Sequence, residues 1–112
     1  MSQITTHVLD TSIGKPAKGI RINLEEKSGN DWKLLGSGTT NEDGRISDLL
    51  DKDVKLEFGI YRMTFEVKSY FDKQNVVSFY PSVTVEFEVR EDRHYHVPLL
   101  LNPFGYSTYR GS

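Results

Sequence analysis

Apolar residues recur at every second position over much of this chain. Ile20, Ile22 and Leu24 alternate with Arg21, Asn23 and Glu25. Tyr61, Met63, Phe65 and Val67 alternate with Arg62, Thr64 and Glu66, and Val83, Val85, Phe87 and Val89 with Thr84, Glu86 and Glu88. Successive side chains of a strand point to opposite faces, so each run predicts a strand with one buried and one wet side. Tyr95, Val97, Leu99 and Leu101 continue the pattern. Turn formers separate the runs at Ile13-Gly14-Lys15-Pro16, Ser28-Gly29-Asn30-Asp31, Asn41-Glu42-Asp43-Gly44, Phe58-Gly59 and Asn102-Pro103-Phe104-Gly105. About eight short strands at this spacing predict an all-β sandwich. One stretch breaks the rhythm. Ser69-Tyr70-Phe71-Asp72-Lys73-Gln74-Asn75 predicts a helix of two turns at most, capped by Ser69.

Strand parity carries the first functional hint. If Val97, Leu99 and Leu101 face the core, His94, His96 and Pro98 lie on the other side of that sheet. In the opening strand His7 shares a face with Thr5 and Leu9, opposite Ile4, Thr6 and Val8. An outer face of His7, Leu9, Pro98 and Leu100 is too apolar to stay bare, and a second copy of the subunit is the natural cover. Any site on that face would then lie between subunits.

Composition narrows the function classes. The 112 residues suit a single domain, 1–112, and the formal net charge of −2 implies no general attraction to nucleic acid or anionic membrane. The chain lacks cysteine, which removes disulfides, thiolate metal sites and a cysteine nucleophile. The opening residues are too polar for a secretory leader and no run approaches a membrane span, so a cytoplasmic location is expected.

The candidate chemistry is dispersed. His7 and His96 are isolated strand histidines, a type more often found in surfaces and interfaces than in catalysis. His94 shares the face of His96, so His7, His94 and His96 form a possible metal set, but no metal motif accompanies them. Arg45 follows the Asp43-Gly44 turn and reads alone as a solvated charge. Tyr109 and Arg110 stand in the last four residues, Tyr109-Arg110-Gly111-Ser112, together with the Ser112 carboxylate. Chain ends are usually frayed and tolerant of change, and this one is made of ligand-holding residue types. Ser107 lacks a nucleophile elbow, and no phosphate loop or dinucleotide fingerprint occurs. Each item is weak alone. Together they point to a site for a compact, polar, planar molecule.

The same residues resemble a known family. Ile4-Thr5-Thr6-His7-Val8-Leu9-Asp10-Thr11-Ser12-Ile13-Gly14-Lys15-Pro16-Ala17 resembles the opening motif of the 5-hydroxyisourate hydrolase family, the transthyretin-related enzymes of urate breakdown. Thr40-Asn41-Glu42-Asp43-Gly44-Arg45 is similar to that family's central arginine segment. Gly59-Ile60-Tyr61-Arg62-Met63-Thr64-Phe65 and Ser69-Tyr70-Phe71 resemble the strand and short helix that follow. His94 through Ser112, with the terminal Tyr-Arg-Gly-Ser, resembles the C-terminal signature. Asn102 and Phe104 depart from the usual serine and tyrosine. Transthyretin shares the fold but has apolar residues and a longer tail in place of the terminal tetrapeptide.

The resemblance implies a transthyretin-like β-sandwich of two four-stranded sheets with one short helix near residues 69–75. It implies a homotetramer, with active sites at the dimer–dimer interface. It implies hydrolysis of 5-hydroxyisourate to 2-oxo-4-hydroxy-4-carboxy-5-ureidoimidazoline without metal or organic cofactor. His7 and His96 would carry proton transfers, Arg45 would clamp the substrate and its oxyanion, and Tyr109 would line the pocket. Ser112 would orient a histidine or the water. Arg110, on the alternate face, ranks below Tyr109. The competing expectation is a transthyretin-like carrier of small aromatic ligands in a central channel, and a second is a metal-binding protein.

Overall fold

The computed structural model describes residues 2–111. Ten elements follow one another: β1 (Ile4–Asp10), β2 (Lys15–Pro16), β3 (Arg21–Ser28), β4 (Asp31–Thr39), β5 (Arg45–Ile46), β6 (Gly59–Glu66), α1 (Val67–Asp72), β7 (Val83–Val89), β8 (Tyr95–Asn102) and β9 (Gly105–Thr108). One sheet has the antiparallel order β4-β3-β6-β7. The other runs β2-β1-β8-β9, with β5 pairing the same edge of β1 further along. Because β2 and β5 share that edge, this sheet is also four positions wide, as the family resemblance implies.

The period-two runs pack inward as expected. Ile22 and Leu24 from β3, Tyr61, Met63 and Phe65 from β6, and Val83 and Val89 from β7 are buried. They meet Ile4 and Val8 from β1 and Val97, Leu99 and Leu101 from β8. Burying a side chain of this size is worth roughly 1.5–3 kcal/mol. A one-residue slip would turn each set to water, so the core fixes the register. That register sends Thr5, His7 and Leu9 outward from β1.

β4 carries no clean alternation and is largely exposed, so its strand character is weak in the sequence. Its glycines matter instead. A Cβ on Gly36 would lie 2.1 Å from the Leu49 carbonyl oxygen, so only glycine lets the segment with buried Leu49 and Leu50 lie across this strand.

The helix begins two residues before the expected start and ends at Asp72. Ser69 does not cap it. Glu66 is the flanking residue, without a side-chain cap bond. The reason is a change of burial period at Val67. Val67, Tyr70 and Phe71 are the buried residues, spaced for one helical face. Lys68 and Asp72 pair on the wet side at 2.8 Å. Beyond the helix Asn75 takes a left-handed conformation, φ 57°, and turns the chain out. The Tyr70 hydroxyl donates to Asp10 Oδ2 at 2.7 Å, tying helix to β1, and Asp10 Oδ1 accepts the Ser12 N–H at 3.0 Å. No helix among the described residues is long and apolar enough to cross a membrane.

Candidate functional site

The sheet register assembles the site. Across β1, His7 faces Arg45 on one side and Pro98 on the other. Thr5 faces His96, and His96 in turn bridges to Gly111, whose N–H donates to the His96 carbonyl at 2.9 Å. The β8–β9 pairing, Leu99 with Thr108, extends to set Tyr109 opposite Pro98. Two rows therefore cross the outer face: Arg45, His7, Pro98 and Tyr109 in one, Thr5, His96 and Gly111 in the other. Opposed residues share a face, so four distant stretches of sequence meet on one surface.

Arg45 is delivered by a tight turn. The Asn41 side-chain oxygen accepts the N–H groups of Asp43 and Arg45 at 2.9 and 3.1 Å, as short polar side chains do in turns. Gly44 follows with φ 72°, and a Cβ there would lie 2.4 Å from the Val8 carbonyl oxygen. The Val8 N–H donates to the Gly44 carbonyl at 2.8 Å, which docks the turn on β1. The Arg45 side chain is exposed and makes no ion pair among the described residues.

Beside it lies an open hollow of about 460 Å³ lined by Thr5, Asn41, Arg45, Ile46, Ser47, His94 and His96. Within it the Thr5 hydroxyl sits 2.9 Å from His96 Nδ1 and 2.9 Å from His94 Nε2. The two imidazoles are nearly parallel, with centroids 6.5 Å apart. Gly111 presses on the other side of the His96 ring: a Cβ there would lie 2.4 Å from Cδ2.

Both expected histidines are held below the ordinary pKa of 6.5. For His7 the causes are burial, then the Arg45 charge, opposed by the Asp43 carbonyl and carboxylate. For His96 they are burial, then Arg45, His94 and His7, opposed by the Thr5 carbonyl. Both rings are therefore neutral at pH 7 and able to take a proton. A guanidinium near two neutral imidazoles, with no ion pair among the described residues, can hold an anionic or imide edge while a neighbour moves a proton.

The remaining candidates fall differently. Tyr109 is exposed and borders a second, smaller hollow of about 160 Å³, together with Tyr95, His96 and Arg110. Arg110 stacks its guanidinium 4.5 Å over the Tyr95 ring. Ser112 lies outside the described residues. Among the described residues no group of three or more His, Cys, Asp or Glu side chains converges to hold a metal, so His7, His94 and His96 do not form the cage considered above. Thr5 and Gly111 are the residues sequence reasoning missed. The signal for Thr5 was its shared face with His7, and for Gly111 its place beside the terminal aromatic and guanidinium groups.

Residues 4–111 match the HIUase/Transthyretin family. The chain belongs to that family. It is 44% identical over 110 residues to the 5-hydroxyisourate hydrolase of Salmonella dublin, covering 97% of this chain and 80% of that protein. To the 5-hydroxyisourate hydrolase 2 of Rhizobium meliloti it is 42% identical over 115 residues, covering 98% and 96%. Among solved structures it is similar to the Klebsiella pneumoniae 5-hydroxyisourate hydrolase, with a TM-score of 0.85, 33% identity and coverage of 97% and 98%. It is also similar to sea bream transthyretin in complex with thyroxine, with a TM-score of 0.91, 28% identity and coverage of 98% and 95%. Backbone likeness slightly favours the transthyretin and identity favours the hydrolase. The family fold serves both, so the side chains of the hollow must decide between them.

Proposed function

We propose that this chain hydrolyses 5-hydroxyisourate in urate catabolism. The observation that carries the reading is the hollow itself: Arg45, with no ion pair among the described residues, beside His96, with His7 next in register, and both rings held neutral. A carrier of aromatic ligands has no use for two proton acceptors flanking a cation. The named 5-hydroxyisourate hydrolases that resemble the chain at 42–44% identity support the same choice.

In the proposed mechanism water attacks a ring carbonyl of the substrate. The water oxygen bonds to carbon and its proton goes to a histidine, His96 or His7. The negative charge that gathers on the carbonyl oxygen is offset by the Arg45 guanidinium, whose planar fork suits an imide edge. The ring C–N bond then breaks and the leaving nitrogen receives a proton from a histidine. Tyr109, in the same row of the outer face as Arg45 and His7, helps bind the ring, and Ser112 orients a histidine or the water. No metal or organic cofactor takes part.

We further assign a homotetramer with its sites between dimers. Free edges at β7 and β9, and exposed Phe79, Phe104 and Tyr106, support self-association.

The test follows the ultraviolet absorbance of freshly made 5-hydroxyisourate. The protein should speed its decay, and Arg45→Ala and His96→Ala should each cut kcat/KM by about 100- to 1000-fold with the melting temperature kept. Decay at the uncatalysed rate, with saturable binding of an aromatic ligand, would make the chain a carrier instead.

A further inference from the structure

We propose that Thr5 is a positioning residue that fixes the tautomer of His96, with its Nδ1 protonated and its Nε2 left bare to accept the proton of water, and that His94 serves by drawing the Thr5 hydrogen away. This deepens the hydrolase reading and rests on it for its kinetic part, whereas the tautomer itself does not depend on any activity.

The argument is one of donors and acceptors. The Thr5 hydroxyl has a single hydrogen and stands 2.9 Å from a nitrogen of each ring. It can donate to only one of them. If that hydrogen goes to His94 Nε2, the bond to His96 must be donated by His96 Nδ1, and Nε2 is bare. If it went to His96 Nδ1 instead, the ring proton would sit on Nε2 and the ring could not serve as a base through that atom. Exposure favours the first arrangement: His94 is exposed, so its Nδ1 can carry its proton into water while Nε2 accepts. Gly111 packs against the Cδ2 edge of the His96 ring, which restricts rotation of the ring and keeps Nδ1 on Thr5.

The arrangement also helps during turnover. When Nε2 takes the water proton the ring becomes an imidazolium. Its Nδ1–H bond to Thr5 then becomes charge-assisted and strengthens as the charge appears. A carboxylate more often holds a catalytic histidine in this way. A neutral hydroxyl does so without adding a negative charge beside Arg45, and so leaves the guanidinium free for the substrate.

Nitrogen NMR of the ligand-free protein reads the tautomer directly, and three histidines make assignment by single variants straightforward. His96 Nδ1 should show the signature of a protonated ring nitrogen and Nε2 that of a bare one. In Thr5→Val, which keeps the β-branched shape of the strand residue, the pattern should pass to the Nε2-protonated form usual for free imidazole. In the same variant kcat should fall by about 10- to 100-fold, part of what general-base catalysis supplies, with KM within about twofold. Thr5→Ser should restore both tautomer and kcat, and His94→Phe should give a smaller change in the same direction. An Nε2-protonated His96 in the wild type would overturn the proposal, as would a Thr5→Val protein with an unchanged tautomer or a Thr5→Ser protein that recovers neither. If the wild type does not hydrolyse 5-hydroxyisourate at all, the hydrolase reading fails and the spectra still decide the tautomer.

Discussion

Gly111→Ala should disable the enzyme while leaving the fold nearly intact. His96 is held from two directions. Thr5 fixes Nδ1 at 2.9 Å, and the backbone of Gly111 closes on the opposite side of the ring. An added methyl carbon would sit 2.4 Å from Cδ2, 3.1 Å from Cγ and 3.3 Å from Cβ of His96. Carbon atoms in ordinary contact stand about 3.5–4.0 Å apart, so the shortfall at Cδ2 is about 1 Å. Either the ring moves by that amount, losing its aim, or the terminal backbone retreats and gives up the Gly111 N–H bond to the His96 carbonyl. A misplacement of about 1 Å at a reacting group costs on the order of 100-fold in rate. The fold should suffer little, because the strain falls on the segment after β9 and outside the core. Initial rates of 5-hydroxyisourate decay, paired with thermal melts, test this. The expected result is kcat lowered by about 100-fold with Tm within a few degrees of wild type. Turnover within about threefold of wild type in a folded variant would refute the reasoning, because His96 would then need no support from the chain end.

Two further outcomes are expected. With His7 and His96 both held below 6.5 by burial and by Arg45, kcat/KM should be flat above pH 7 and decline only as the pH falls below 6.5. Replacing Arg45 by Gln should raise the midpoint of whatever activity remains, and a limb already centred above 6.5 in the wild type would contradict the argument. The stability sign is the same: in the window from 6.5 down to the lowered folded values the unfolded chain binds more protons, so these histidines make the fold less stable as the pH falls. The second outcome concerns structure alone. Tyr70, its hydroxyl held to about 12 by burial and by Asp10, is the phenol that partners an almost fully buried carboxylate. Tyr70→Phe should cost about 1–3 kcal/mol and lower Tm, and an unchanged melting temperature would show that Ser12 alone satisfies Asp10.

Sequence alone went far where the physics is local. Alternation named the buried faces of β3, β6, β7 and β8, because a period of two has one burial solution. It also set His7 and His96 on an outer face, since parity passes along a strand without knowledge of its partners. It did not reveal the start of α1, because Val67 satisfies both the strand period it ends and the helical face it begins. β4 was faint because its role is to let other chain pass over Gly36, a purpose with no hydrophobic signature. The site followed the same rule. His7, Arg45 and His96 were legible as residue types, and the family resemblance joined them. Thr5 and Gly111 were not, since a hydroxyl between two rings and a missing Cβ against one of those rings are properties of register.

The pairing of β1 with β8 has a bearing on how the molecule comes into being. These are the parallel strands of the sheet, and Thr6 reaches the Val97 carbonyl across 91 positions of sequence. During synthesis β1 must therefore wait, with its apolar side uncovered, until β8 emerges. Such distant closures are slow, and they leave an exposed edge in the meantime. Under the proposed mechanism, which uses His96 of β8, catalytic competence cannot precede that docking, so a nascent or truncated chain lacking β8 should be inert as well as sticky.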